Sequence, residues 1–288
     1  MLLDSHIHIF DKKMDRDDFY IKLKEGNVDG GVVISLAPGA LKWNEKEYTT
    51  KDRLNNVLWF CEKNPMLFPF YWINPMESNA MDQVKEAVAC GIKGFKIICN
   101  THFPGDQTAI KVYQEIARYE KPILFHSGIL WDGLNSSDYN KPSQFEALLN
   151  VNGLKFALAH VSWPWYDECI AVYGKFLNAF AWRKDLSVEM FLDIAPGTPP
   201  LYRQEVLRKL YCIGYDVQNN VLFGTDSNVN DYNLKWLKDW LNRDQVIFSE
   251  IQLSQESKDC LYSKNLLRFV GLSGHKPTKK LLVTGEES

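Results

Sequence analysis

Apolar residues fall into short β-rich runs that recur at similar intervals: Leu2–Ile9, Gly30–Leu36, Met66–Asn74, Ile92–Cys99, Pro122–His126, Leu154–His160, Leu186–Ile194 and Asn220–Thr225. Between most of them the apolar positions take helical spacing, at Asp15–Glu25, Asp52–Lys63, Met81–Cys90, Ala109–Glu120, Trp165–Leu177, Leu201–Ile213 and Tyr232–Asn242. A last helix follows over Gln255–Val270. Runs such as GGVVISL, PILFH and NNVLFG are apolar without alternation, as in a parallel strand covered on both faces. Eight such strands joined by helical crossovers predict an α/β fold, a (β/α)8 TIM barrel. It forms a single domain over residues 1–271, leaving 272–288 as a polar C-terminal tail. A doubly wound open sheet is the alternative, but neither G-x-G-x-x-G nor G-x-x-x-x-G-K-[ST] follows an early strand.

Composition narrows the partners. The 288 residues carry 33 Lys+Arg against 36 Asp+Glu, a formal charge of -3, which offers no field to gather phosphates or anionic lipid. Nucleic acid and membrane are therefore not expected, and a small-molecule substrate is; a homo-oligomer is left open. No apolar run reaches bilayer length and the chain enters a strand pattern at once, so the protein is expected in the cytoplasm. Six cysteines without a C-x-x-C pair read as buried, reduced thiols.

The informative feature is where the histidines fall. Of the six, His6, His8, His126 and His160 lie in or at the end of strand candidates, whereas His102 and His275 do not. In D-S-H-I-H the two rings point to one face with Cα atoms about 6.5–7 Å apart, so they can converge on one ion. A half-polar strand would show the same alternation. The difference is that His126 ends PILFH, His160 ends KFALAH and Asp226 follows NNVLFGT, each at a strand's C-terminal tip, where barrel active sites are built. In a closed barrel the eighth strand lies beside the first, so Asp226 comes next to His6 and His8. Two imidazoles from strand one, a third from His126 and the Asp226 oxygen suit one Zn2+ ion with a position left for water. Another divalent transition metal is the alternative.

In their order, D-S-H-I-H, F-H-S-G, A-H-V-S-W-P and F-G-T-D resemble the amidohydrolase superfamily. More narrowly, they resemble the amidohydrolase-related group that includes aminocarboxymuconate-semialdehyde decarboxylase and its hydrolase relatives. The resemblance runs from about Met1 to Gly271. It implies that His6, His8 and His126 hold a divalent metal, that Asp226 ligates it or contacts its water, and that His160 faces the substrate. It does not fix the reaction, because the group spans hydrolysis and non-oxidative decarboxylation.

Hydrolysis at a carbonyl centre is the first reading, with Asp226 taking the proton of water and His160 binding the oxyanion or activating the nucleophile. Decarboxylation of an aromatic or enol acid is the alternative, and a catalytically silent ligand-binding barrel is a third. Lys96 in GIKGFKIICN could bridge two metals, pair with an acid or bind an anionic substrate; period two does not say whether it faces the lumen. His102, Trp131 and Trp163 join it as candidate substrate contacts, with Phe10, Phe103, Trp165 and Pro196–Pro200 near the mouth. Arg183 and Arg203, flanking strand seven, could clamp a substrate carboxylate, although an exposed helix arginine is the default reading.

Overall fold

The computed structural model describes residues 1–12, 15–39, 48–212 and 214–272, apart from the side chains of 180 and 181. Ile213, His275 and nearly all of the expected tail lie outside them. All eight expected strands are present: β1 (Leu3–His8), β2 (Gly30–Ile34), β3 (Leu67–Trp72), β4 (Gly94–Ile97), β5 (Ile123–Phe125), β6 (Lys155–Leu158), β7 (Glu189–Asp193) and β8 (Val221–Leu222). A two-residue β9 (Ser227–Asn228) adds to them. The order is β8-β7-β6-β5-β4-β3-β2-β1-β9, parallel throughout. The ring closes where β9 pairs with β1 and Ser5 N–H donates to Phe223 O at 2.8 Å.

The crossovers are α1 (Arg16–Glu25), α2 (Thr50–Cys61), α3 (Ala80–Ala89), α4 (Gln107–Arg118), α5 (Tyr166–Trp182), α6 (Arg203–Cys212) and α7 (Leu234–Glu250). Their starts are set by side chains that accept orphan backbone N–H groups: Asp15 for α1, Thr49 for α2, Asp106 for α4 and Asn233 for α7. Between β5 and β6, where no helical spacing is seen in the sequence, the chain runs through 3-10 turns at Ser137–Asn140 and Pro142–Asn150. Among the described residues, no helix is long and apolar enough to cross a membrane.

Two cores follow from strands that are apolar on both faces. One packs Ile7, Val33, Phe95, Ile97 and Phe125 outward against the helices. The other fills the lumen with Leu3, Val32, Ile34, Phe70, Trp72, Ile98, Leu124 and Phe191. The last helical stretch, α8 (Gln255–Asp259) and α9 (Asn265–Phe269) joined by a π turn at Cys260–Lys264, brings Leu266 and Phe269 against that lumen. The helix thereby plugs the N-terminal end of the barrel. Strand β1 carries one extra residue against β2 between Asp4 and Ile7. This bulge reverses the inward parity, so Leu3 belongs to the lumen and so do His6 and His8. All six cysteines are free, and Cys90 and Cys212 are exposed rather than buried.

Candidate active site

At the C-terminal end of the barrel a cavity of about 320 Å³ is lined by His6, His8, Lys96, His126, His160 and Asp226, with Phe10, Trp131 and Trp163 in its wall. A wider cleft of about 960 Å³ at the opposite end is lined by Met1, Leu2, Tyr20 and Tyr262, with no histidine among the described residues around it.

Each polar group reaches the cavity by an identifiable backbone device. The β1 bulge is fixed by Asp4, which is fully buried. Its carboxylate accepts His6 N–H and Thr225 N–H at 2.9 Å, Thr225 Oγ1–H at 2.5 Å and Tyr232 O–H at 2.9 Å. The Asp4 carboxyl is pushed up to about 6 by burial, which these hydrogen bonds oppose. It ties the start of β1 to the segment that carries Asp226. Asp226 itself sits between β8 and β9 at φ 55°, and His160 lies two residues past β6 at φ 61°. Left-handed backbone at non-glycine residues is costly and concentrates at functional sites. Gly224 lets the two segments meet, since a Cβ there would stand 2.7 Å from Ser5 Oγ and 3.0 Å from His6 Cβ.

His6 Nε2 and His8 Nε2 are 3.1 Å apart, and Asp226 Oδ1 is 3.5 Å from each. Tetrahedral coordination with bonds of about 2.0–2.2 Å separates neighbouring ligand atoms by about 3.3 Å, so the three donors already have the spacing of one face of a tetrahedral metal site. Other side chains fix the rings. His6 Nδ1–H donates to Asp193 Oδ2 at 2.9 Å, and the His8 ring stacks on Phe10 with centroids 5.2 Å apart. His160 Nδ1–H donates to Ala195 O at 3.1 Å, and His126 Nε2–H to Ile129 O at 3.2 Å. Burial lowers all four imidazoles, His160 to about 4, so they are neutral and carry lone pairs at physiological pH. Burial also lowers Lys96 and raises Asp226, while their mutual attraction opposes both shifts.

The amidohydrolase model matches residues 4–272, spanning the whole barrel and every one of these groups. The chain belongs to the amidohydrolase family. No curated protein matches it in sequence. Among solved structures, it is similar to an uncharacterized TIM-barrel protein from Bordetella bronchiseptica (14% identity, 95% of this chain and 99% of that one, TM-score 0.66). It is also similar to 2,6-dihydroxybenzoate decarboxylase from Rhizobium (13%, 95% and 98%, 0.62). A third is a probable 2-pyrone-4,6-dicarboxylic acid hydrolase from Acinetobacter baumannii (12%, 94% and 99%, 0.60). At these identities the likeness is one of fold.

In this amidohydrolase, the structure brings together His6, His8 and Asp226, whose ligating atoms lie within 4.8 Å of one another. His126 lines the same cavity but stands outside that cluster, its ring 5.2 Å from that of His160. Lys96 faces the lumen, with Nζ 3.3 Å from His6 Nε2. Trp131 and Trp163 are in the wall, and Trp131 remains 78% exposed.

Three of the candidate contacts lie outside the cavity wall. His102 does not line the cavity: it is buried in the loop after β4 near Asp106, and burial pushes its imidazole down to about 4. Arg203 is no substrate clamp, because both of its outer nitrogens are taken within the protein, Nη2 by Asp244 at 2.7 Å and Nη1 by Ile194 O at 2.6 Å. Arg183 pairs with Asp185 at the surface. Asp193 escapes a sequence reading altogether; its signal, an acid closing the apolar run M-F-L-D at a strand tip, is shared with ordinary strand ends.

Proposed function

We propose that this protein is a zinc-dependent hydrolase acting at a carbonyl centre of a small, planar substrate. One observation carries the reading: His6 Nε2, His8 Nε2 and Asp226 Oδ1 stand at zinc-ligand spacing in the same cavity as His160. His126 is the proposed third imidazole, through Nδ1, because its Nε2–H is committed to Ile129 O. The nitrogen-rich donor set suits zinc better than calcium or magnesium. When bound, such an ion with an open position lowers the pKa of water toward about 7 and polarises a carbonyl oxygen.

The chain supplies the rest. Asp226, raised by burial, is the base that takes the proton of the attacking water. His160 has its proton fixed on Nδ1 by Ala195 O, so Nε2 accepts rather than donates. This favours a role in positioning the nucleophile over binding the oxyanion. Phe10, Trp131 and Trp163 supply flat apolar walls, and Lys96 the positive charge for a substrate oxyanion.

Decarboxylation is the second reading, favoured by Lys96, the one lysine or arginine among the described residues that line the cavity, where a carboxylate would be held. A raised Asp226 would then deliver its proton to carbon. The test is to strip and reload the protein with zinc, then assay 2-pyrone-4,6-dicarboxylic acid for ring opening and 2,6-dihydroxybenzoate for CO2. Zinc-dependent ring opening is expected; CO2 release would establish the second reading. Turnover unchanged after chelation would end the metal-dependent one.

A further inference from the structure

Asp193 is fully buried and lies outside the cavity wall, so it touches no substrate. Its two oxygens have separate partners: Oδ2 accepts His6 Nδ1–H at 2.9 Å, and Oδ1 accepts Ala195 N–H at 2.5 Å. The strand tip that carries it is anchored from outside the barrel. Arg203 of α6 donates to Ile194 O at 2.6 Å and grips Asp244 of α7 through Nε and Nη2 at 2.8 and 2.7 Å. Both members of that pair are buried.

We propose that Asp193 is the positioning residue of this site, holding His6 as the Nδ1–H tautomer so that its Nε2 lone pair faces His8 Nε2 and Asp226 Oδ1. The alternative tautomer would place a proton on Nε2, inside the 3.1 Å gap, and leave no lone pair for a cation. The Arg203–Asp244 pair acts one step further out, by fixing the backbone on which Asp193 sits. The inference rests on the metal-site reading only for what Nε2 does; the tautomer is a property of the chain itself.

Asp193→Asn is nearly isosteric and tests it. The Ala195 N–H can only donate, so it keeps the amide oxygen as its partner. The amide NH2 then faces His6 Nδ1 and makes that nitrogen an acceptor. In protein labelled with 15N-histidine, His6 is expected as Nδ1–H in the native chain and as Nε2–H in the variant. Zinc affinity, measured by chelator competition, is expected to fall about 10–100-fold. An unchanged tautomer with unchanged zinc affinity in the variant would overturn the inference while leaving the metal site standing. A native protein that takes up no zinc, yet shows the expected tautomer and its reversal, would do the opposite. Should the variant fail to fold, the native tautomer decides: His6 found as Nε2–H overturns the proposal.

Discussion

His160 begins three consecutive non-glycine residues with positive φ, His160, Val161 and Ser162, at 61°, 43° and 56°. Such backbone costs on the order of 1–3 kcal/mol per residue and persists only when neighbours over-determine it. Here Ser127 Oγ–H donates to Ala159 O at 2.7 Å, Ser162 Oγ–H to Ser127 Oγ at 2.9 Å, and His160 Nδ1–H to Ala195 O. Gly197 closes the last side: a Cβ there would lie 2.7 Å from His160 Cβ and Cγ. Gly197→Ala is therefore expected to displace the imidazole and lower kcat/KM about 10²-fold. Steady-state kinetics beside a melting curve checks this, and unchanged kinetics would show that the ring's placement does not matter. His160→Ala should lower kcat about 10²–10⁴-fold. Elemental analysis is expected to find the zinc content of that variant intact, and zinc lost with the side chain would make His160 a ligand.

At the level of elements, the site depends on a barrel plugged from below. Phe269 of α9 packs on Phe191 at 4.9 Å and Phe70 at 6.2 Å between ring centroids, and Arg268 pairs with Glu189 at the start of β7. Phe269→Ala empties the centre of that plug and should cost about 3–5 kcal/mol. Calorimetry should show Tm falling roughly 2–4 °C for each kcal/mol, with zinc stoichiometry unchanged because the plug is at the far end of the lumen. An unaltered Tm would mean that α9 is docked loosely. The last helix and the strands it seals were legible in the sequence because continuous apolar runs and helical spacing are local, whereas its place as a plug was not. The tips were legible for the same reason: His126 and Asp226 follow apolar runs directly. Contacts distant along the chain were not. Arg203 looks like any helix-surface arginine until Asp244 arrives from α7, and Asp193 looks like a strand end until His6 meets it from β1, two strands along the closed ring. The face taken by Lys96 was undecidable from period two alone, and pairing with β3 and β5 settled it.

For the whole molecule, gathering neutral imidazoles in one buried place ties stability to pH. Burial lowers the folded-state pKa of His6, His8, His126 and His160, and that of His102 outside the cavity, below the usual value of about 6.5. At these histidines the unfolded chain then binds more protons than the folded one as pH drops below 6.5, and the raised Asp4 and Asp226 carboxyls, which protonate first in the folded state, offset part of that effect. Stability is fully present above that value and is lost toward the folded-state pKa, about 4 for His160 and His102. On the proposed zinc site, bound metal would add to the same slope, since its ligands must be unprotonated, and would contribute about 2.7 kcal/mol when free metal is 100 times its dissociation constant. Urea unfolding at pH 7.5 and pH 5 should therefore show a lower midpoint in acid for the stripped protein and a larger drop for the zinc-loaded one. His102→Gln separates the contributions: it should flatten the slope of the stripped protein and leave the zinc-dependent increment unchanged. An increment that shrinks with His102 would place that histidine in the metal site, against its position in the fold.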